Sequence, residues 1–260
     1  MSKICVFTYN IRTEAASDGI NAFTLRKEFV KKEFPKYEAD IIGFQETQPH
    51  MRQWIIDNFT DYEICGVGRN ADLLGESNIV AFKRNKFDLV SLETFWLSDT
   101  PRKAGSRFST DQSGCPRICT CTTLYHRESG KAFRHYNTHL DHVGQFAQAQ
   151  GISLILNRIA ADYDAWALPV ILTGDFNVTP DSVVYKSVIN FKGCGDNQLR
   201  DVTVDVGATF HAYRPAEVGS KIDYIFTTMP CDETKSFTAK DEENGVFLSD
   251  HYPVCAELEI

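Results

Sequence analysis

The chain has 260 residues, of which 43% are hydrophobic and 24% are charged, a composition typical of a globular protein with enough apolar material for a core. Its formal net charge of -8 argues against a basic surface that would hold nucleic acid non-specifically. An acidic enzyme can still take a phosphate substrate if bound cations reverse the local field.

The chain shows no targeting or membrane signal. Its first residues, Met1-Ser2-Lys3, lead directly into a strand-like run without the pattern of a signal peptide. No apolar run approaches the roughly 18 residues that a membrane span needs. We therefore predict a soluble cytoplasmic protein whose 8 cysteines are reduced.

The chain order of the elements indicates the fold class. Short runs rich in β-branched and aromatic residues, bounded by Gly, Asn, Asp or Pro, predict strands. These strands cover residues 3–9, 40–45, 62–67, 78–83, 87–96, 117–125, 132–138, 169–174, 222–227 and 253–259. A period of 3.6 residues predicts helices over 23–34, 50–59 and 143–161, and a shorter helix begins near Asp181, its expected N-cap. Since strands outnumber helices and helices connect only some of them, we predict an α/β (α+β) fold of two packed mixed sheets with helices outside.

Polar side chains recur where the predicted strands end. Asn10 follows the first strand, Glu46 follows the second, and His139 follows the strand over 132–138. A carboxylate such as Glu46 offers the hard oxygen ligands that suit Mg²⁺. The alternative for Glu46 is a first-turn acid of the next helix, and the alternative for Asn10 is a turn residue.

The run Gly174-Asp175-Phe176-Asn177 is the most informative of these strand ends. Asp175 and Asn177 lie two positions apart, so in extended chain both side chains project from one face. A carboxylate beside an amide suits the handling of a phosphate and of the water that attacks it. Taken alone, Asn177 can equally be a turn residue.

The last two polar sites pair acids with histidine. In Asp250-His251 the carboxylate can bind a metal while the imidazole faces a phosphate oxygen; the alternative is a solvated turn. Asp223 lies inside an apolar strand, where an unpaired carboxylate costs several kcal/mol. It needs a donor, and a histidine would be fixed in one tautomer by it. Backbone amides are the alternative donors.

Two further histidines, one arginine and two residues before a strand complete the candidates. His139 fits a donor to a phosphate oxygen, whereas His142 has the context of a solvated residue at a helix start. Arg117 suits a second cationic phosphate contact or, equally, a surface arginine packed over a strand. Glu76 and Asn78 are further candidates for lining the pocket.

Six motifs in this order resemble the endonuclease/exonuclease/phosphatase superfamily, also called deoxyribonuclease I-like. The motifs are Tyr9-Asn10, Gln45-Glu46, Thr138-His139-Leu140, Gly174-Asp175-Phe176-Asn177, Ile222-Asp223-Tyr224 and Ser249-Asp250-His251. Within the superfamily, the chain resembles an uncharacterised bacterial branch in the runs Trp96-Leu97-Ser98, Pro116-Arg117-Ile118-Cys119 and His142-Val143-Gly144-Gln145. The resemblance implies a four-layer α/β/β/α sandwich, one domain over 1–260, and a phosphoesterase that depends on Mg²⁺ or Mn²⁺.

The resemblance also implies roles for individual residues. Glu46 and Asp250 would bind the metal, with Asn10 next to it, and Asp175 would orient or deprotonate the attacking water. His251, oriented by Asp223, would contact the phosphate.

Three further residues would hold the phosphate, and one motif departs from a known branch. Asn177, His139 and Arg117 are the further phosphate-binding candidates. His139 matches the phosphatase and deadenylase-like branches; apurinic endonucleases carry a tyrosine nearby instead, so the resemblance does not extend to DNA repair.

Substrate class stays open between two hydrolases and one binding protein. The first is a nuclease, of the 3′-to-5′ exonuclease type on single strands. The alternative is a phosphatase or phosphodiesterase of a small sugar, inositol or lipid-headgroup phosphate, which the net charge mildly favours. The third, an inactive binding domain, predicts missing acids or a missing histidine, and none is missing. The sequence does not indicate an oligomeric state.

Overall fold

The computed structural model describes residues 2–214, 219–231 and 235–260. Its four α-helices are α1 (Phe23–Glu33), α2 (Pro49–Asn58), α3 (Gln145–Ala165) and α4 (Val183–Ile189), and two short 3-10 helices span Ala16–Asn21 and Phe34–Tyr37. All four predicted helices are therefore present in the described residues. None of them is long and apolar enough to cross a bilayer.

The N-cap predicted for α4 is one residue too early. Ser182 is the cap, because its Oγ accepts a hydrogen bond from the backbone N–H of Tyr185 at 3.1 Å. The Asp181 carboxylate instead accepts a hydrogen bond from the Thr179 hydroxyl. Both side chains suit a cap, and only the backbone geometry distinguishes them.

The strands of the described residues include all ten predicted strands and four short additions. They are β1 (Lys3–Asn10), β2 (Ile41–Gln45), β3 (Tyr62–Cys65), β4 (Val80–Lys83), β5 (Phe87–Trp96), β6 (Ile118–His126), β7 (Lys131–His139), β8 (Val170–Asp175), β9 (Arg200–Asp201), β10 (Asp223–Thr227), β11 (Phe237–Thr238), β12 (Glu242–Glu243), β13 (Val246–Phe247) and β14 (Val254–Glu259). The additions β9, β11, β12 and β13 have two residues each, too few to show an alternating pattern.

Two six-stranded sheets form the centre of the molecule. The first has the order β11-β14-β1-β2-β4-β3 and the second β5-β6-β7-β8-β10-β9. Both are mixed, because β1 pairs parallel with β2 and β7 pairs parallel with β8 while the neighbouring pairs are antiparallel. The predicted pair of mixed sheets is confirmed.

Three apolar clusters hold four layers together. One cluster packs α1 and α2 on the outer face of the first sheet, and a second packs α3 and α4 on the outer face of the second sheet. The third, which includes Ile4, Ile41, Phe133 and Ile171, fills the space between the sheets. The predicted α/β/β/α sandwich is thereby confirmed.

The strand faces that meet between the sheets change character along their length. Because side chains alternate, β1 turns Ile4, Val6, Thr8 and Asn10 to the same inner face, all of them buried. The inner face of β7 likewise runs Phe133, His135, Asn137, His139, and that of β8 runs Ile171, Thr173, Asp175. One end of the interface between the sheets is therefore apolar and the other is polar.

Candidate active site

A cavity of about 490 Å³ opens at the polar end of the two sheets. Seven of the residues predicted for the site line it: Glu46, Arg117, His139, Asp175, Asn177, Asp250 and His251. The other two, Asn10 and Asp223, are buried directly behind the wall and bond to residues that line it. The structure therefore brings all nine predicted residues together.

Asn10 connects the two sheets at this cavity. Its Nδ2 donates to Glu46 Oε1 at 3.1 Å and to Asp175 Oδ2 at 3.0 Å, and it lies 3.5 Å from His251 Nε2. Glu46 follows a strand of the first sheet and Asp175 ends a strand of the second. One neutral amide thus holds two carboxylates at a fixed separation without adding charge.

Asp223, His251 and Asp175 form a buried acid–imidazole–acid series. His251 Nδ1 lies 2.8 Å from Asp223 Oδ2, and Asp223 also accepts from the Thr209 hydroxyl at 2.6 Å. His251 Nε2 faces Asp175 Oδ2 at 3.8 Å. A proton on Nδ1 matches this arrangement and leaves Nε2 directed at the cavity.

Electrostatics in this series favours a cationic imidazole. Burial opposes the charged form of His251, but Asp223, Asp175 and Asp250 outweigh it and raise the pKa of His251 to about 10. Burial and the charge of Asp223 raise the pKa of Asp175 to about 7. At neutral pH the cavity therefore contains an imidazolium beside a carboxyl group that is close to its own titration midpoint.

Glu46 and Asp250 are the two carboxylates on the side of the first sheet. Glu46 accepts from Asn10 and, at 2.9 Å, from the backbone N–H of Thr13. Burial opposes its ionisation, but these hydrogen bonds lower the pKa of Glu46. Asp250 accepts from the Ser249 hydroxyl at 3.2 Å, and burial raises the pKa of Asp250.

The donor set of the cavity fits a divalent cation. Two buried carboxylates, Asp175 and Asp250, and the half-buried Glu46 face one small space. Arg12, whose Nε lies 3.5 Å from Asp250, and the imidazolium of His251 offset part of their like charges. Oxygen donors of this kind suit Mg²⁺ or Mn²⁺. A second grouping, Asp175, Asp223 and His251, places one ligand atom from each residue within 4.8 Å of the others.

The two groupings differ in which of their ligand atoms are free. In the second grouping, the hydrogen bond between His251 and Asp223 already engages one imidazole nitrogen and one carboxylate oxygen. A cation there would have to disrupt that bond or use only the remaining atoms. Glu46 and Asp250 have no imidazole partner. Their oxygens accept single hydrogen bonds from Asn10, Thr13 and Ser249 or lie beside Arg12, and keep further lone pairs for a cation, so the chemistry of the donors favours them.

His139 and Arg117 line the opposite side of the cavity. His139 Nε2 lies 3.5 Å from Asp175 Oδ2, and burial together with nearby Arg117 lowers the pKa of His139 well below its usual value. Arg117 is 4% exposed and bonds to His142 Nδ1 at 2.7 Å. Of the two predictions for Arg117, the surface arginine is wrong, because the guanidinium is buried at the cavity.

Left-handed backbone directs several of these side chains. Arg12, Glu46 and Asn177 have φ of 56°, 60° and 52°, and each lines the cavity. Such a conformation costs about 1–2 kcal/mol in a residue other than glycine. It interrupts the strand alternation, so Glu46 can face the cavity although Gln45 before it already points inward. Strain of this kind clusters at functional sites.

Several residues that line the cavity are not marked by the sequence or were expected to be solvated. Arg12, Arg69 and Phe210 line the cavity and lie in irregular segments without a strand-end pattern, so no signal in the sequence marks them. His142 is exposed, as predicted, but it also lines the cavity and bonds to Arg117. Glu76 lines the cavity, as suggested.

The prediction for Asn78 as a cavity residue has no support in the structure. Its Nδ2 donates to the Ile118 carbonyl at 2.8 Å, and the side chain is buried. Glu76 and Asn78 lie two residues apart in the segment before β4, and only Glu76 lines the cavity.

The chain is similar along most of its length to two solved bacterial structures and to one curated yeast protein. It is 31% identical to an endonuclease/exonuclease/phosphatase from Bacteroides vulgatus, with a TM-score of 0.89 and 100% of both chains covered. It is 26% identical to a mannosyl-6-phosphatase from Bacteroides thetaiotaomicron, with a TM-score of 0.81 and 99% and 100% covered. A curated relative is the CCR4-Not complex 3'-5'-exoribonuclease subunit Ccr4 of Candida albicans, 25% identical over 90% of this chain. The chain spans 37% of that relative's length.

The family assignment follows from the match along nearly the whole chain. The sequence profile of the Endonuclease/Exonuclease/phosphatase family matches residues 7–251. That range begins three residues before Asn10 and ends on His251, so it contains every predicted site residue. The chain belongs to the Endonuclease/Exonuclease/phosphatase family.

Proposed function

We propose that this chain is a single-domain phosphoester hydrolase that depends on a divalent metal ion. The observation that carries the proposal is the convergence, in one cavity, of the series Asp223–His251–Asp175 and of Glu46, joined by Asn10. These groups come from both sheets and from positions far apart in the sequence. Core packing alone would not select five polar side chains at the point where burial makes them expensive.

Asp175 is the group that aligns the attacking water and removes its proton. Its Oδ1 is held by the backbone N–H of Asn177 at 2.9 Å and its Oδ2 by Asn10 at 3.0 Å, so the carboxylate cannot rotate freely. The pKa of about 7 suits a general base that works near neutral pH.

The phosphate is held by the donors around Asp175. His251, charged and fixed by Asp223, presents Nε2 to the cavity. Asn177, His139 and Arg117 line the same cavity from the second sheet and add neutral and cationic donors. Preorganised donors of this kind stabilise the charge that develops on the non-bridging oxygens.

Glu46 and Asp250 would hold the cation, with Asn10 beside it. A divalent ion bound there, Mg²⁺ or Mn²⁺, supplies Lewis-acid polarisation of a phosphoryl oxygen and offsets negative charge in the transition state. The lowered pKa of Glu46 keeps it ionised and ready to bind a cation.

Two candidate substrates follow from the relatives and from the cavity. The Candida relative is a 3'-5'-exoribonuclease and the Bacteroides relative a mannosyl-6-phosphatase. A cavity of about 490 Å³ in a chain of net charge -8 favours a small phosphoester over a nucleic-acid strand, which needs a basic groove along its backbone.

The test is the hydrolysis of 4-nitrophenyl phosphate and of bis-(4-nitrophenyl) phosphate by the purified protein. We expect turnover of at least one ester with Mg²⁺ or Mn²⁺, abolition by excess EDTA, and recovery when the metal is restored. If neither these esters nor a panel of nucleotides and sugar phosphates is hydrolysed with either metal, the proposal is wrong.

A further inference from the structure

An ion pair that has no part in the hydrolysis proposed above lines the cavity wall. Arg69 Nη1 lies 2.7 Å from Glu76 Oε2, and the two side chains are 14% and 20% exposed. Both belong to the loop between β3 and β4, and both line the cavity. A partly buried pair contributes little net stability because desolvation offsets the attraction. Its position at the cavity therefore calls for another explanation.

The loop that carries the pair is held in one conformation. The backbone N–H of Arg69 donates to the Glu76 carbonyl at 2.9 Å, and the Trp96 indole donates to the Arg69 carbonyl at 2.6 Å. The chain passes so close to itself that a Cβ at Gly68 would lie 2.3 Å from the Leu74 carbonyl oxygen. Both members of the pair are thus fixed before any ligand arrives.

The same loop is fastened to the segment that carries Glu46. Ser77, next to Glu76, exchanges backbone hydrogen bonds with Thr47, next to Glu46, at 2.9 and 3.2 Å. The Ser77 hydroxyl adds a bond to the Thr47 carbonyl at 2.8 Å. The distance from the ion pair to the proposed phosphate site is therefore set by the fold.

The chemistry of the pair selects its ligand. Glu76 neutralises Arg69, so the pair does not attract a second phosphate, and the carboxylate would repel one. Together they present guanidinium donors and carboxylate oxygens side by side. A hydroxyl group donates and accepts at once, so neighbouring hydroxyls match this surface. The cavity, at about 490 Å³, lies within the range of small-ligand sites.

We propose that Arg69 and Glu76 bind hydroxyl groups of the leaving group, so that the substrate is a phosphomonoester of a sugar or polyol. The inference rests on the proposed function and specifies its substrate class. In the reaction, the oxygen of water bonds to phosphorus while the bond from phosphorus to the sugar oxygen breaks. Asp175 takes the proton of the water, and the sugar oxygen takes a proton from solvent.

The test compares glucose 6-phosphate with 4-nitrophenyl phosphate. The aryl ring of 4-nitrophenyl phosphate is planar and, apart from the ester oxygen, carries no hydroxyl group. We expect Glu76→Gln to lower kcat/KM for glucose 6-phosphate by about 10²-fold, and at least tenfold more than for the aryl ester, because a buried hydroxyl partner is lost. Arg69→Met should likewise lower kcat/KM for glucose 6-phosphate more than it lowers kcat/KM for the aryl ester. Glu128→Gln, on an exposed turn, is the matched control and should change neither value.

Binding measurements separate this inference from the proposed function. In the Asp175→Asn background, where turnover is slow, calorimetry with Mg²⁺ present should show glucose 6-phosphate binding more tightly than phenyl phosphate. The difference should be lost when Glu76→Gln or Arg69→Met is added. If the wild type hydrolyses the aryl ester and Glu76→Gln lowers kcat/KM equally for both substrates, the inference is overturned and the proposed function stands. Preference for a single-stranded oligonucleotide over glucose 6-phosphate would also overturn it. If sugar-phosphate binding depends on Glu76 but no phosphoester is hydrolysed, hydroxyl recognition by the ion pair stands and the proposed function is wrong.

Discussion

The two ends of the space between the sheets are built from the same strands and differ in what they contain. At one end Ile4, Ile41, Phe133 and Ile171 pack as an apolar cluster. At the other, the same inner faces end in Asn10, His139 and Asp175. Within β1, β7 and β8 alternation decides which side chains point inward at both ends, so along these strands the difference lies in residue type. Burial stabilises the first end and is costly at the second.

A polar brace separates the two ends and explains how the costly one is tolerated. Asn137 Nδ2 donates across the interface to the carbonyls of Phe44 and Ile79 at 2.8 and 3.0 Å. Its Oδ1 accepts from Gln45 Nε2 at 2.7 Å and from the Thr173 hydroxyl at 3.1 Å. Every one of these bonds joins groups that are buried, so the brace fixes the register in which Glu46, His139 and Asp175 face one another.

The sheets approach closely at this brace. A Cβ at Gly43 would lie 2.4 Å from Thr173 Oγ1 and 2.6 Å from Asn137 Oδ1. Glycine is required there because of the space, and the backbone φ needs no special residue. The site is therefore an extension of the core: hydrogen bonds hold the polar end together, and apolar contacts hold the apolar end together.

The largest effect should come from the polar end itself. We expect Asp175→Asn to lower kcat/KM roughly 10²–10⁴-fold, because the amide keeps the shape but cannot take a proton. The variant should melt no lower than the wild type, since a buried carboxylate is removed. Steady-state kinetics with an aryl phosphate and thermal melting measure both. Asp164→Asn, exposed on α3, is the matched control, and equal activity in the two variants would contradict the role given to Asp175.

Breaking the brace should affect stability and activity together. Asn137→Ala removes four buried hydrogen bonds, to the carbonyls of Phe44 and Ile79 and from Gln45 and Thr173, and we expect a loss on the order of 3 kcal/mol in the free energy of unfolding. Activity should fall about 10–100-fold, because the two sheets lose their mutual register. Urea unfolding and kinetics on the same preparation check this. A destabilised variant with full activity would show that the brace does not position the site.

The pH dependence should follow the base at the polar end. The pKa of Asp175 is raised to about 7, so below that pH the carboxyl group is protonated and cannot act. We expect kcat/KM to rise about tenfold per pH unit up to roughly pH 7 and then to level off. Activity that is constant between pH 5 and 7 would be incompatible with Asp175 as the base.

The apolar end should give the smallest effect, confined to stability. Ile41→Val removes one buried methylene and should cost about 0.5–1.5 kcal/mol in the free energy of unfolding. Activity should stay within a factor of two of the wild type, because the brace separates Ile41 from the cavity. A clear loss of activity at unchanged protein concentration would mean that the two ends are not independent.

Much of this arrangement was predictable from the sequence because strands carry a period of two. The ends at Asn10, Glu46, His139 and Asp175 are marked by polar residues directly after apolar runs, and the structure brings all of them together. The cost of burying Asp223 alone predicted that it needs a hydrogen-bond donor, and the family resemblance identified that donor as His251.

The rest could not be predicted because it depends on backbone direction in loops. Arg12 and Arg69 reach the cavity from irregular segments, and Arg12 does so through a left-handed φ of 56°. Asn137 and Gln45 look like ordinary interior strand positions in the sequence, and only the packing of one sheet on the other reveals their bonds. The prediction of Asp181 as the N-cap of α4 was wrong for the same reason, since both Asp181 and Ser182 can cap a helix and only the backbone geometry selects Ser182.

The central claim is that groups from opposite sheets act as one site, and a double-variant experiment with Glu46→Gln and Asp175→Asn tests it most directly. Residues that act as a unit lose activity non-additively. We expect the double variant to hydrolyse an aryl phosphate at about the rate of the less active single variant. Losses that multiply would show that the two carboxylates work independently, and the account of a single site joined by Asn10 would be wrong.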